Sequence, residues 1–219
     1  MKAMILAAGL GTRMRPLTDT CPKPLLPAGG KPLLVHHLER LRDSGITDIV
    51  INVSYRRAQV IDALGDGSAL GVSITWSEEE TPLETAGGIR HALPLLGDAP
   101  FWLINGDVWC DADLTPRHLA DQALGHLLMV DNPPHHPDGD FRLKEGQLDA
   151  TGTPRLTYSG LAILDPALFH TLPDNTPARL APLLVIAMEQ HRVTGEHFTG
   201  QWVDVGTPER LHALDAQLS

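Results

Sequence analysis

Cysteine, aromatic side chains, long apolar runs and positive charge are all in short supply in this 219-residue chain. The two cysteines, Cys21 and Cys110, form no metal-ligand spacing and suggest reduced thiols in a reducing compartment. No apolar run is long enough to span a bilayer, and the short apolar start lacks the form of a signal peptide. A cytoplasmic protein without a membrane partner is therefore expected. Lys and Arg total 17 against 27 Asp and Glu, a net charge of −10. With no basic stripe either, a long nucleic-acid polymer is not an expected partner. Two familiar phosphate loops are also missing. Met14 stands where a dinucleotide fingerprint needs its third glycine, and no Gly-Lys-Ser/Thr string exists for a Walker A loop. Eleven histidines are present without an HExxH pattern or a cysteine companion. His36-His37 falls on a predicted helix and His135-His136 in a proline-rich loop, so zinc is not expected.

What is present is concentrated in residues 6–27, LAAGLGTRMRPLTDTCPKPLLP. Residues 2–8 form an apolar run of strand length that empties into Gly9-Leu10-Gly11-Thr12-Arg13. Small residues there let backbone N–H groups approach an anion closely. Arg13 adds a positive fork, Lys23 between Pro22 and Pro24 adds a point charge, and Arg15 and Lys31 lie near in sequence. A strand feeding a glycine-rich basic loop reads as a nucleotide-phosphate site. A plain glycine turn carrying two surface cations is the alternative.

Hydrophobic content of 42% and charged content of 20% suit one α/β core of this size, and no repeat or low-complexity tract interrupts it. Leu34, Leu38 and Leu41 share one face of a helix predicted from Pro32 to Gly45. Strands are predicted at 48–53, 72–76 and 101–105, and a helix at 55–64. Thr85 is the predicted N-cap of a helix reaching Leu93, its first turn weakened by Gly87-Gly88. Such alternation builds a mostly parallel sheet with helices on both faces and a ligand at the strands' carboxyl ends. The second half reads as strand 126–130, a breaker-rich loop at 132–139, strands at 141–143 and 156–164, and helix 180–190. A strand at 197–205 and a helix capped by Thr207-Pro208 complete it. This half is expected to be an appended antiparallel subdomain forming the other wall of a cleft, not an independent domain.

Asp107 follows a buried strand and a glycine, and Asp204 lies late in a second apolar strand. A strand-end carboxylate among apolar residues is costly unless paired or coordinating a cation. Mg2+ takes oxygen ligands, often only one or two carboxylates, and completes its shell with water and phosphate. Two capping carboxylates are the alternative reading.

At LAAGLGTRMRPLT and PKPLLP, TAGG (85–88), NGD (105–107), SGLAIL (159–164) and WVDVGTPERL the chain resembles the sugar-1-phosphate nucleotidyltransferases. The resemblance implies a Rossmann-like, mostly parallel mixed sheet flanked by helices, with a small antiparallel sugar-binding subdomain. It implies one domain over 1–219, with residues 1–131 binding nucleotide and 132–219 binding sugar and supplying the terminal helix. Leu6, Ala8, Gly9, Gly11 and Thr12 would cradle the nucleotide, Arg13 would neutralise the leaving pyrophosphate and Lys23 would hold the reacting phosphates. Gly87 would let the base pack on backbone. Asn105, Gly139, Gly160 and Leu161 would line the sugar pocket, and Asp107 and Asp204 would bind Mg2+. The Glu-Lys pair that many relatives carry before SGLAIL is absent from residues 144–158, leaving Lys144 or Arg155 as stand-ins for the sugar-phosphate contact. Glu84 stands where relatives commonly have glycine.

The implied reaction is attack of a sugar-1-phosphate on a nucleoside triphosphate, needing positioning and charge neutralisation and no general base. Uridylyl transfer from UTP to a muramyl phosphate is the leading expectation, with Arg142 or Arg155 meeting its lactyl carboxylate and the 132–139 loop opening to admit it. Uridylyl, thymidylyl or guanylyl transfer to glucose- or mannose-1-phosphate is the alternative within the class. An idle nucleotide-sugar sensor is the alternative outside it. The expected partners are small molecules, and the expected assembly is a monomer or weak homo-oligomer.

Overall fold

The computed structural model describes residues 1–219. In chain order its elements are β1 (Ala3–Leu6), the two-residue strands β2 (Pro27–Ala28) and β3 (Lys31–Pro32), α1 (Leu33–Asp43), β4 (Asp48–Val53) and α2 (Arg57–Leu64). Next come β5 (Ser73–Glu78), α3 (Glu84–Leu96), β6 (Phe101–Asn105), β7 (Val108–Cys110) and β8 (Gly125–Val130). The chain ends with β9 (Arg142–Lys144), β10 (Gln147–Asp149), β11 (Thr157–Leu164), α4 (Leu180–Glu189), β12 (Val193–His197), β13 (Trp202–Asp204) and α5 (Pro208–Leu218). No helix is long and apolar enough to cross a membrane.

One nine-stranded sheet, ordered β5-β4-β1-β6-β11-β8-β12-β10-β9, runs through the molecule. Its first four strands are parallel. Leu6 on β1 registers with Asn52 on β4 and with Asn105 on β6, so three carboxyl ends finish level and carry two amide side chains. The antiparallel character expected of the second half enters at β11, which pairs with β6 and β8. These strands extend the same sheet instead of forming a separate layer, and β12 returns parallel to β8. Crossover helices cover both faces. Apolar residues of α1 and α2 (Leu34, Leu38, Leu41, Val60) pack on one, and those of α3 and α4 (Ile89, Leu93, Leu184, Met188) on the other. A third, smaller core joins the chain's two ends: Met14, Leu26 and Leu33 pack against Val205, Leu211 and Leu214.

Several predicted elements differ from those observed, β5 by ending two residues later than the predicted 72–76. The strand expected at 197–205 is two strands, because His197 ends β12 on the main sheet while Trp202–Asp204 pairs antiparallel with β7 in a separate ribbon. Thr85 is not an N-cap. α3 begins two residues earlier, at Glu84 with Leu83 in the N-cap position, and continues through Pro94 to Leu96. α2 begins at Arg57, two residues after the predicted Tyr55.

Candidate active site

Three cavities open at the carboxyl ends of β1, β4 and β6, and Asn105 lines all of them. The first, about 280 Å³, is bounded by Leu6 to Gly9, Lys23, Asn52, Glu79, Thr85 and Asp107. The second, about 360 Å³, is bounded by Arg13, Asp107, His135, His136, Tyr158, Gly160 and Asp204. The third, about 280 Å³, has a mainly apolar wall of Phe141, Leu180, Ala181 and Leu184.

The backbone brings the two aspartates together although 97 positions separate them (204 − 107). The Val205 N–H donates to the Asp107 carbonyl at 2.8 Å, and Asp204 registers with Val108 across the β7–β13 ribbon. Lys23 Nζ donates to Asp107 Oδ2 at 2.8 Å, with the lysine side chain only 12% exposed. Arg210 Nη1 donates to Asp204 Oδ2 at 2.8 Å, and His135 Nε2 lies 2.7 Å from that Nη1 and 3.2 Å from the same oxygen. Each carboxylate is thus engaged through Oδ2 alone. No cluster of three or more His, Cys, Asp or Glu side chains exists to form an all-protein metal cage. Two carboxylates facing one cavity, each with a spare oxygen, suit a hard divalent cation that completes its shell with phosphate and water.

Below the first cavity lies a buried polar network. Asn52 Oδ1 accepts from the Ala7 N–H at 2.8 Å, and Asn52 Nδ2 donates to Glu79 Oε1 at 2.7 Å. Glu79 Oε2 accepts from the Leu83 N–H at 2.8 Å. Both residues are only 2% exposed, so these bonds fix the start of the glycine-rich loop against the turn that opens α3. Beneath β6, His37 is buried and its pKa is pushed down to about 4, by burial first and then by the charges of Arg40 and His36. A hydrogen bond to the Gly106 backbone and the Asp107 charge oppose that shift.

Of the residues expected to cradle a nucleotide, Leu6, Ala8, Gly9 and Lys23 line the first cavity, while Gly11 and Thr12 lie in the turn beyond it. Arg13 stands beside the second cavity with both aspartates. Gly87 is packed closely by another part of the chain. A Cβ there would run into the Thr176 carbonyl and lie 3.1 Å from the Ala178 N, and the Gly87 N–H donates to the Ala178 carbonyl at 3.1 Å. The chain's own backbone covers this side of Gly87, and Pro82, Glu84 and Thr85 line the cavity nearby. Gly160 does face the second cavity. At φ +84° in a β-bulge of β11, it approaches so closely that a Cβ would sit 2.7 Å from Asn105 Nδ2. Gly139 and Leu161 do not line the cavities. Gly139 packs under Asn132, and Leu161 points into the core.

The surface cations also sort themselves. Arg15 pairs with Asp19 and Lys31 with Glu39, away from the cavities. Arg142 and Arg155 are turned to the Gly152 turn, and Lys144 is exposed on edge strand β9, so none of the three lines the cleft. Sequence reasoning missed Glu79, Asp140, Tyr158, Arg179 and Arg210. Glu79 sits in the run Ser77-Glu78-Glu79-Glu80, where nothing local separates a buried carboxylate from exposed neighbours. At Glu84, where the resemblance implies glycine, φ is +58°, the left-handed conformation that glycine adopts freely.

Residues 2–139 match the nucleotidyl transferase family model. The chain is 51% identical over 225 residues to N-acetylmuramate α-1-phosphate uridylyltransferase of Neisseria meningitidis serogroup B, covering 99% of this chain and 97% of that one. It is 37% identical to the mannose-1-phosphate guanyltransferase of Candida albicans over 95% of its own length, but spans only 62% of that enzyme. Among solved structures, a Bacillus anthracis protein described as a glucose-1-phosphate thymidylyltransferase, crystallised with sucrose, superposes with a TM-score of 0.87. That superposition covers 100% of this chain and 95% of the other at 23% identity, a likeness of fold. A parallel sheet whose carboxyl ends carry a glycine-rich basic loop and two converging aspartates, together with these matches, makes the chain a member of the nucleotidyl transferase family and an enzyme of the sugar-1-phosphate nucleotidyltransferase type.

Proposed function

We propose that the protein transfers the uridylyl group of UTP to N-acetylmuramate α-1-phosphate, giving UDP-N-acetylmuramate and pyrophosphate. The observation that carries this reading is the 51% identity, over nearly the full length of both chains, to the meningococcal uridylyltransferase. A product of that kind belongs to peptidoglycan recycling in the cytoplasm. Residues 1–131 serve the nucleotide, and 132–219 the sugar.

An oxygen of the sugar phosphate attacks the α-phosphorus in line. The bond from that phosphorus to the β-phosphate oxygen breaks, and its electron pair leaves with pyrophosphate. Because the attacking oxygen is already ionised at neutral pH, the chain need supply no general base. It supplies charge and position: Lys23, beside Asp107, meets the reacting phosphates, and Arg13 meets the departing ones. The Asn52–Glu79 network holds the loop at Ala7 so that backbone amides keep their aim without reorganising. Asn105, at the junction of the three cavities, orients the acceptor where nucleotide and sugar meet. Asp107 and Asp204 would hold Mg2+, which neutralises phosphate charge and stabilises the charge developing at the α-phosphorus.

The test is magnesium-dependent pyrophosphate release from UTP, dTTP, GTP, CTP and ATP, each against a panel of sugar-1-phosphates. Turnover concentrated on UTP with the muramyl phosphate supports the reading. Turnover with another pair moves the substrate and keeps the chemistry, and silence with nucleotide still bound favours a sensor.

A further inference from the structure

The third cavity is not needed for phosphoryl chemistry, yet it adjoins the second through Asn105, Asp140 and Tyr158. A sugar in the second cavity can therefore extend a substituent into the third. Its walls are unlike those of the phosphate-facing cavities, with Phe141, Leu180 and Leu184 giving it an apolar floor. Tyr158 has a buried hydroxyl with no hydrogen-bond partner, a costly arrangement unless a ligand atom supplies the partner. Asp140 does not reach that hydroxyl; its Oδ1 lies 3.1 Å from His136 Nε2 and its Oδ2 accepts from the Tyr158 N–H at 2.8 Å.

Arg179 is the one cation lining this cavity. Only its Nε is engaged, donating to Glu84 Oε2 at 3.2 Å, which leaves the outer guanidinium donors open. With side chains 80% and 46% exposed, the Arg179–Glu84 pair is held weakly and is readily exchanged for a better-oriented carboxylate. Arg179 is also the N-cap residue of the ten-residue α4, whose dipole favours an anion at the same end.

We propose that the third cavity is the subsite for an acidic substituent of the acceptor sugar: its alkyl part packs on Phe141, Leu180 and Leu184, and its carboxylate displaces Glu84 from Arg179. Arg179 is then the residue that selects an anionic sugar phosphate over a neutral one. This rests on the muramyl reading above, because the lactyl ether that distinguishes muramyl from glucosaminyl phosphates ends in a carboxylate.

The experiment is steady-state kinetics with Mg2+ and UTP, comparing N-acetylmuramate and N-acetylglucosamine α-1-phosphates in wild type, Arg179→Gln, Arg179→Lys and Tyr158→Phe. Arg179→Gln should lower the muramyl-to-glucosaminyl ratio of kcat/KM by about ten- to a hundred-fold, through the muramyl KM, and Arg179→Lys should restore part of it. Tyr158→Phe should raise KM for both acceptors and leave the ratio near its wild-type value. Inhibition constants give the same ratio where glucosaminyl turnover is too slow to measure. A wild-type preference for the muramyl phosphate that persists unchanged in Arg179→Gln overturns the subsite. Wild-type protein that uses other sugar phosphates and ignores the muramyl one overturns the function reading itself.

Discussion

Acid should weaken this fold through one histidine, and the size of the effect can be worked out in advance. His37 is 3% exposed, and its pKa is pushed from an ordinary 6.5 down to about 4, mainly by burial. The folded protein therefore holds it neutral at pH values where the unfolded chain has already taken up a proton. As pH falls from about 6.5 to about 4 the unfolded state binds the extra proton and stability is lost. Above 6.5 neither state binds it, and the histidine contributes no pH dependence. A tenfold change in an acid constant is worth 1.36 kcal/mol, so the full effect is about 3 kcal/mol. Urea denaturation of wild type and His37→Gln at pH 7.5, 6.0, 5.0 and 4.0 isolates this term, since the other titrating groups are common to both. The stability of wild type relative to the variant should fall by about 3 kcal/mol across that range. Parallel curves would refute the assignment of a neutral buried imidazole. Because His37 touches the Gly106 backbone, the loosening begins under the turn that carries Asp107.

Replacing Asp107 or Asp204 by alanine should lower turnover by about two to three orders of magnitude, and near-normal rates at limiting magnesium in both variants would sink the metal assignment. Glu79→Ala leaves the Leu83 N–H and the Asn52 amide without their acceptor, so a loss of about 1–3 kcal/mol in stability and a raised KM for UTP are expected from melting curves and kinetics. Gly87→Ala forces a methyl against the Thr176 carbonyl and should cost about 1–3 kcal/mol without altering nucleobase preference. A changed preference at unchanged melting temperature would restore Gly87 to the base site.

Local pattern was enough wherever a residue's environment is set by its neighbours in sequence. β4 and β6 begin and end where the apolar runs at 48–53 and 101–105 do, because a strand buried on both faces leaves its signature in consecutive residues. The helix predicted from Pro32 likewise forms from Leu33, with Pro32 as its cap and Leu34, Leu38 and Leu41 buried. That Leu6, Ala8 and Gly9 line one cavity was legible for the same reason, these residues being one strand and the loop that follows it.

Long-range contacts decided the rest. Residues 197–205 are apolar enough for one strand, yet β8 claims one end and β7 the other, and no pattern within the segment encodes two partners. Gly87 looks the same in sequence whether it faces a base or the Thr176–Ala178 backbone; only the packing of that segment on α3 distinguishes them. Glu79 and Glu80 are identical letters, of which the fold buries one beneath a cavity and leaves the other exposed. The sequence alone thus determined the fold class, which follows from periodicity, and the reaction type, which the resemblance of its contiguous motifs to the sugar-1-phosphate nucleotidyltransferases implies. Which arginine lines a cavity of the cleft was decided by tertiary structure, because Arg142, Arg155 and Arg179 differ only in where the folded chain puts them.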